Sequence, residues 1–535
     1  MKLTDEAVWI DKDALQAIAM DSHKKHAVFM FTLLLALALL TRFPFFFHDV
    51  INWDESTFIL VGQSIVDGHL PYVTLYELKP PLLFGFFAVV IWVGGKSILA
   101  IRLAGMMCVW LVACFTYNIG SRLFNTRVGI VAGTLYVVAS AVIAGGSGQA
   151  IMSETVALVP LIASLVVLLR PPSSALSLFI AGILIAVAAL VRSNLVFVAF
   201  AVGLWVLMTH RQRPRAVIAG NVLAYCIGGG LVVLLALLPY ARANEGKVFW
   251  EAVFIAPIIY SSSQLGLLST IARQATNAFG TFSGHSFPNT ENLLGLGVWA
   301  AGIVGLFIVF RNWRNDTGAD RHSQWLILTY TLAVGLSIVL GGAAYSHYLI
   351  QLLPFVCVYA AVLYSRVGDY PVRKRFSLPL AASVLALALL PVARQYSLII
   401  SRLRSGETLS YGTSYDIAKI LRPACVNGCS LYLLTNQLAY WFLNATPPTR
   451  LAVHPADVVM NYSIKAADGP AATPESEMRK ILQTMPDYIV KPDVVWYLGD
   501  SRARDILEAT VKSRYRIWAT TDDQTIYRRI EPRAD

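Results

Sequence analysis

The chain has 535 residues, of which 56% are hydrophobic and 14% charged, with a mean hydropathy of +0.59. A soluble domain carries about 25% charged residues, so these figures exclude a soluble globular protein, a disordered chain, a coiled coil and a small disulfide scaffold. The net charge of +11 lies almost wholly in short loops between apolar runs of residues 1–399, the positive-inside pattern of a polytopic membrane protein, and argues against nucleic acid as a partner.

In chain order, residues 1–26 are polar, contain acids and precede no small-residue cleavage site, so they are expected to form a cytoplasmic segment rather than a cleaved signal. Spanning runs need about 20 apolar residues. They are expected at 27–47, 103–120, 128–147, 155–170, 176–191, 194–209, 216–239, 292–310, 325–343, 348–364 and 378–398. Four gaps are basic: Arg122 with Arg127; His210 with Arg211, Arg213 and Arg215; Arg311, Arg314 and Arg321; and Arg366 with Arg373, Lys374 and Arg375. Placing all four in the cytoplasm puts the N-terminus there too and the tail after residue 398 outside. Residues 82–95 are apolar but short, and read as a helix lying at the outer membrane face. This leaves about 11 spans and three large outer regions: 42–102, a lid-like loop at 240–291, and 399–535. The tail shows helical periodicity at 415–422, 475–484 and 502–512, and strand patterns at 430–435, 487–491, 514–519 and 524–529. The expected fold is therefore a polytopic all-α membrane body, 27–398, followed by a small α/β domain, 399–535.

Cys108, Cys114, Cys226 and Cys357 fall in apolar runs and read as packing residues. Cys425 and Cys429 lie in the tail, where they form a small disulfide loop if the compartment is oxidising; as a zinc pair they lack partners at suitable spacing.

Acids are the informative rarity. Between Leu78 and Asn244 the only one is Glu154, at the outer end of an expected span, where a charge costs about 2.5–3.5 kcal/mol on insertion scales and points to function. The bland alternative is an interfacial, solvated Glu. The first outer loop is denser, with Asn52-Trp53-Asp54-Glu55-Ser56 and Tyr76-Glu77-Leu78-Lys79-Pro80-Pro81. Adjacent acids on a helix point about 100° apart, so Asp54 and Glu55 need not share a role. The two prolines favour an extended backbone at Lys79, which would hold a cation at the membrane surface.

The pattern TRFPFF…NWDESTF…GQSIVDGHLPY…ELKPPLLFGFF resembles the GT-C membrane glycosyltransferases of the protein O-mannosyltransferase and aminoarabinose-transferase superfamily, most closely the rhizobial lipopolysaccharide galacturonosyltransferase-like group. The matching residues are Arg42 and Pro44, Asp54 and Glu55, Gly68 with Tyr72, and Lys79 to Leu82, followed by Glu154, Arg192 and, in SHYLIQLLPF, His347 and Tyr348. The resemblance covers roughly residues 27–400 and implies an inverting transfer of sugar from a polyprenyl-phosphate donor to an envelope glycolipid, glycan or protein acceptor outside a bacterial inner membrane. It makes Asp54 the general base, with Glu55 orienting the loop or touching substrate. Lys79 and Arg192 would hold the donor phosphate, and Glu154 an acidic substrate or metal site. Arg42, Tyr72, Glu77, Tyr260, His285, His347 and Tyr348 are weaker candidates. A divalent cation, Mg or Mn, is optional in the superfamily and would suit carboxylates. One departure is that Leu78, not Glu, directly precedes Lys79, which argues against a metal site using Glu77. The rival readings are a transporter or flippase, a scaffold, and an oligosaccharide polymerase or ligase. The first would show repeat symmetry and polar residues at mid-span, where this chain gathers them toward the outer face.

Overall fold

The computed structural model describes residues 12–143, 147–170, 174–209, 213–262, 264–279, 290–315, 319–368 and 389–530. Its first two-thirds are helical: α1 (Lys12–Arg42), α2 (Trp53–Val66), α3 (Pro81–Gly94), α4 (Ile98–Leu123), α5 (Thr126–Val142), α6 (Ser153–Leu168), α7 (Ala175–Val191), α8 (Val196–Thr209) and α9 (Arg215–Arg242), then α10 (Gly246–Trp250), α11 (Ala256–Ser262), α12 (Leu267–Phe279), α13 (Thr290–Asn315), α14 (Ala319–Leu340) and α15 (Leu353–Gly368). The expected runs from 27–47 to 348–364 coincide with α1, α4 to α9 and α13 to α15. The last run, 378–398, falls mostly outside the described residues, and the described helix there, Leu390–Ser405, carries Arg394, Arg402 and Arg404. By length and composition, six described helices can cross a membrane, or seven if the bent pair Gly246–Ser262 and Leu267–Phe279 counts as one. Five further apolar helices are shorter, among them α3 and α5 to α7. The region 240–291 is thus largely helical where it is described, rather than a bare loop.

Local chemistry explains the helix ends that matter. Asn52 caps α2, its side chain accepting the Asp54 N–H, and Asp54 and Glu55 fill the first turn, where the helix dipole favours anions. Pro80 and Pro81 open α3 at positions that need no N–H donor. α7 stops at Arg192, whose backbone is extended (φ −148°, ψ 106°), and one 3-10 turn, Ser193–Leu195, leads into α8. That break turns Arg192 out of the helix. α7 and α9 pack backbone to backbone: a Cβ on Gly182 would lie 2.2 Å from the Tyr225 carbonyl oxygen, and one on Gly228 would lie 2.1 Å from that of Phe179. Small residues allow such close approach where lipid offers no hydrophobic drive.

Among the described residues four strands form one sheet, all after residue 430: β1 (Leu431–Leu433), β2 (Tyr488–Lys491), β3 (Tyr515–Thr520) and β4 (Thr525–Arg529), in the order β1-β2-β4-β3. β1 and β2 are parallel, and the other pairs antiparallel. Helices Pro474–Gln483 and Arg502–Arg514 bury Met478, Ile481, Leu507 and Val511 against Tyr432 and Ile489 of the sheet. Helices Leu438–Leu443 and Asn461–Asp468, which the sequence reading did not mark, complete the crossover between β1 and β2. Cys425 and Cys429 are disulfide-bonded.

This layer is seated on one end of the bundle by polar contacts. Thr57 Oγ1 donates to the Val453 carbonyl (3.2 Å), Trp441 Nε1 to Gln63 (2.9 Å), and the Tyr76 N–H to the Arg450 carbonyl (2.9 Å). Asp49 accepts the Ser414 N–H (2.7 Å) at the start of helix Thr413–Leu421. Gly412 (φ 128°) makes that contact possible, because a Cβ there would sit 1.9 Å from Asp49 Oδ1.

Candidate functional site

The end of the bundle under the sheet layer holds a cavity of about 1150 Å³. Its larger part is apolar and runs between helices, lined by Ala186 and Leu190 of α7, Val196 and Phe197 of α8, Val233 of α9 and Ile338 of α14. Its other end is polar, lined by Asp54, Glu77, Lys79, Arg192, His347, Tyr348, His454 and Asp457.

Asp54 stands at the start of α2 with a quarter of its side chain exposed (26%). Its Oδ2 lies 4.0 Å from Lys79 Nζ and its Oδ1 3.4 Å from His454 Nε2. Burial opposes its charge, but the His454 bond and the Lys79 charge outweigh burial and hold its pKa well below the usual carboxylate range. Lys79 Nζ is also 3.6 Å from Glu77 Oε1. Burial opposes its charge too, yet the two carboxylates push its pKa above the ordinary lysine value. Tyr72 holds Lys79 from behind: its hydroxyl donates to the Lys79 carbonyl (2.8 Å). The Tyr72 backbone is left-handed (φ 69°) in a fully buried site, a conformation that costs about 1–3 kcal/mol in a non-glycine residue. The turn is therefore held by its surroundings.

His454 and Asp457 come from the sheet layer. The Ala456 N–H donates to His454 Nδ1 (3.2 Å), which places the resting ring proton on Nε2, facing Asp54. Burial works against a second proton. The hydrogen bond to Asp54 and the charges of Asp457 and Glu77 work for it and push the pKa up. Taking that second proton would displace the Ala456 N–H from Nδ1, so the arrangement here is that of the neutral ring. Asp457 is pushed up to about 7 by burial and by Glu77.

Arg192 reaches the cavity wall from the break after α7. Its Nη1 lies 2.9 Å from Glu154 Oε1 and donates to Ser153 Oγ (2.7 Å), and its guanidinium covers the Tyr348 ring at 4.2 Å. Glu154 is fully buried and lies behind the wall, 3.8 Å from His347 Nε2. An open acidic site at Glu154 is therefore not what the structure contains: its charge is spent on Arg192. Glu55 is likewise fully buried. It pairs with Arg102, accepts the Ile151 N–H (2.9 Å), and so ties α2 to α4 and the loop before α6. Arg102 also donates to the carbonyls of His48 (3.1 Å) and Asp49 (2.9 Å). Arg42 is buried against Ser140 and the Gly148 carbonyl (3.0 Å), away from the cavity. Tyr260 lines the cavity, with its hydroxyl 3.2 Å from that of Tyr348. His285 lies outside the described residues.

Sequence reasoning passed over His454 and Asp457, finding no residue of note in the tail. His454 is the only histidine after residue 399, and that rarity is the signal that could have found it. The geometry leaves Glu77 open as a metal ligand, despite Leu78 standing before Lys79. Glu77, His454 and Asp457 each offer a ligand atom within 4.8 Å of the others, and Asp457 Oδ2 is buried with no hydrogen-bond partner.

Residues 78–241 match the family described as dolichyl-phosphate-mannose-protein mannosyltransferase. ArnT from Cupriavidus metallidurans bound to undecaprenyl phosphate superimposes with a TM-score of 0.59 at 13% identity, over 93% of this chain and 97% of that one. The chain shares its fold with ArnT. Apo ArnT from the same organism gives 0.55 at 13% identity, over 95% and 98% of the two chains. The apo oligosaccharyltransferase of Archaeoglobus fulgidus gives 0.49 at 14% identity, over 87% of this chain and 69% of that one. No curated protein sequence matches the chain. The family match over residues 78–241 and the shared fold bear out the resemblance to the wider superfamily, not its rhizobial subgroup.

Proposed function

We propose that this chain moves a sugar from a polyprenyl-phosphate donor to a hydroxyl of an acceptor that approaches from the sheet-bearing side. The observation that carries the reading is one continuous cavity: an apolar groove fit for an isoprenoid tail ends at two cations, Lys79 and Arg192, with the Asp54 carboxylate beside Lys79. ArnT, which shares the fold, is known bound to undecaprenyl phosphate, a lipid of the kind this groove suits.

The acceptor hydroxyl attacks the anomeric carbon and its proton passes to Asp54, while the bond to phosphate oxygen breaks and its electron pair leaves with the phosphate. Lys79 and Arg192 stabilise the charge that grows on that phosphate. Asp54 is a weak base at rest because Lys79 and His454 face it. A bound lipid phosphate would draw on the Lys79 charge, and a seated acceptor would exclude water. Both raise the basicity of Asp54 at the moment it is needed. Glu154 fixes Arg192 against Tyr348, and Glu55 fixes the start of α2. A transporter is disfavoured because the charged residues cluster at one end of the groove rather than at mid-span. The test is Asp54→Asn: envelope glycolipids from cells carrying it should lack the sugar that the unaltered chain adds, and normal decoration would overturn the assignment.

Glu77, His454 and Asp457 would fit a divalent cation, with the orphaned Asp457 oxygen gaining a partner, provided His454 gives up the Ala456 N–H at Nδ1 or turns its Nε2 proton away from Asp54. A donor set with one imidazole nitrogen suits Mn or Zn better than Mg. Such an ion would supply positive charge beside the acceptor. Metal-stripped protein should take up one Mn²⁺ or Zn²⁺ per chain, and Glu77→Gln with Asp457→Asn should abolish the uptake. Unchanged stoichiometry in the double variant would remove the site.

We read the chain as an inner-membrane protein with about 11 spans, a catalytic body over 27–398 and an outer domain over 399–535. The basic gaps support this orientation, as does the Cys425–Cys429 bond, which belongs in an oxidising compartment. A reporter fused after Asp535 should read as non-cytoplasmic; a cytoplasmic signal would reverse the topology.

A further inference from the structure

The polar end of the cavity has an aromatic rim that the transfer chemistry leaves unused. Trp496 is 66% exposed, yet it is held in place. Its indole stacks on Trp53, with centroids 5.2 Å apart and planes 27° apart. Tyr497 meets both rings edge-on, at 5.8 Å and 6.3 Å. The Tyr497 hydroxyl donates to the Leu434 carbonyl (2.7 Å), which anchors the group just beyond β1. An exposed but immobilised indole at the mouth of a cavity marks a contact surface, because apolar area left in water forgoes about 25 cal/mol per Å². Both tryptophans line the cavity, and Trp53 immediately precedes Asp54.

We propose, on the reading of the site given above, that Trp53 and Trp496 form the acceptor subsite and that the acceptor presents a saccharide ring there. One face of a pyranose carries a row of C–H bonds with slight positive charge, which matches the negative face of an indole. Its hydroxyls project from the rim of the ring, so stacking holds the sugar while one hydroxyl reaches the neighbouring Asp54. A peptide acceptor would more naturally use backbone pairing along a sheet edge, and no residue of β1 to β4 lines this cavity.

The experiment uses the full chain in nanodiscs and three probes: lipid A, its deacylated glucosamine disaccharide bisphosphate, and a peptide rich in Ser and Thr. Trp496→Ala should weaken lipid A and the disaccharide alike by about tenfold, the effect of roughly 1.4 kcal/mol of lost stacking. Trp496→Phe should keep most of the affinity. Tyr497→Phe, which only unpins the cluster, should lose an intermediate amount. Asp54→Asn should bind as the unaltered chain does while failing to transfer. Full affinity in Trp496→Ala, loss of lipid A but not of the disaccharide, no saccharide binding by the unaltered chain, or displacement of lipid A by the peptide would each overturn the proposal. If Asp54→Asn still transfers sugar, the functional reading itself fails, whatever the binding data show.

Discussion

Asp54→Asn is expected to lower sugar transfer by about 10²- to 10⁴-fold, the range for loss of a positioned general base. The substitution is nearly isosteric. The Asn52 side chain still accepts the backbone N–H of residue 54, so the cap of α2 survives. The amide oxygen can still face His454 Nε2, 3.4 Å away in the structure. What is lost is the capacity to accept a proton, together with a favourable charge in the first turn worth about 0.3–1 kcal/mol. The variant should therefore insert, fold and bind donor normally. The measurement is transfer per folded molecule, with the melting midpoint as control. Full turnover per folded molecule would show that Asp54 is not the base.

The fold was legible in the sequence wherever the signal was a long apolar run. α4, α9 and α13 to α15 announce themselves by composition, and the four strands by alternation between turn residues. What hid was anything that depends on pairing across distance. Glu154 read as functional because a lone acid at membrane depth is costly, and the cost is real. The structure offsets it with Arg192, 38 residues on in sequence, and so places the cation rather than the acid on the cavity wall. Glu55 and Arg102 illustrate the same limit: no local pattern shows that the second acid of a pair will be consumed by a buried guanidinium. His454 sits 400 residues from Asp54, and only the seating of the sheet layer brings them together. Lys79 was legible because its position is set locally, by two prolines and the Tyr72 turn.

The cations should separate by how they are held. Lys79→Met removes a partly exposed ammonium and leaves the bundle intact. Undecaprenyl phosphate binding should fall by about 10- to 100-fold, in line with 1.5–3 kcal/mol for a hydrogen bond to a charged group. Arg192→Met should do more damage, because it strands the fully buried Glu154 without its partner. Removing one member of a buried pair costs about 3–5 kcal/mol, whereas replacing both can be neutral. The double variant Arg192→Met with Glu154→Leu should therefore recover the melting midpoint lost by the single one, yet bind undecaprenyl phosphate as poorly as Lys79→Met. Stability and binding then move independently, which a purely structural Arg192 would not allow. If the double variant regains both, Arg192 serves only to neutralise Glu154, and the phosphate is held by Lys79 without it.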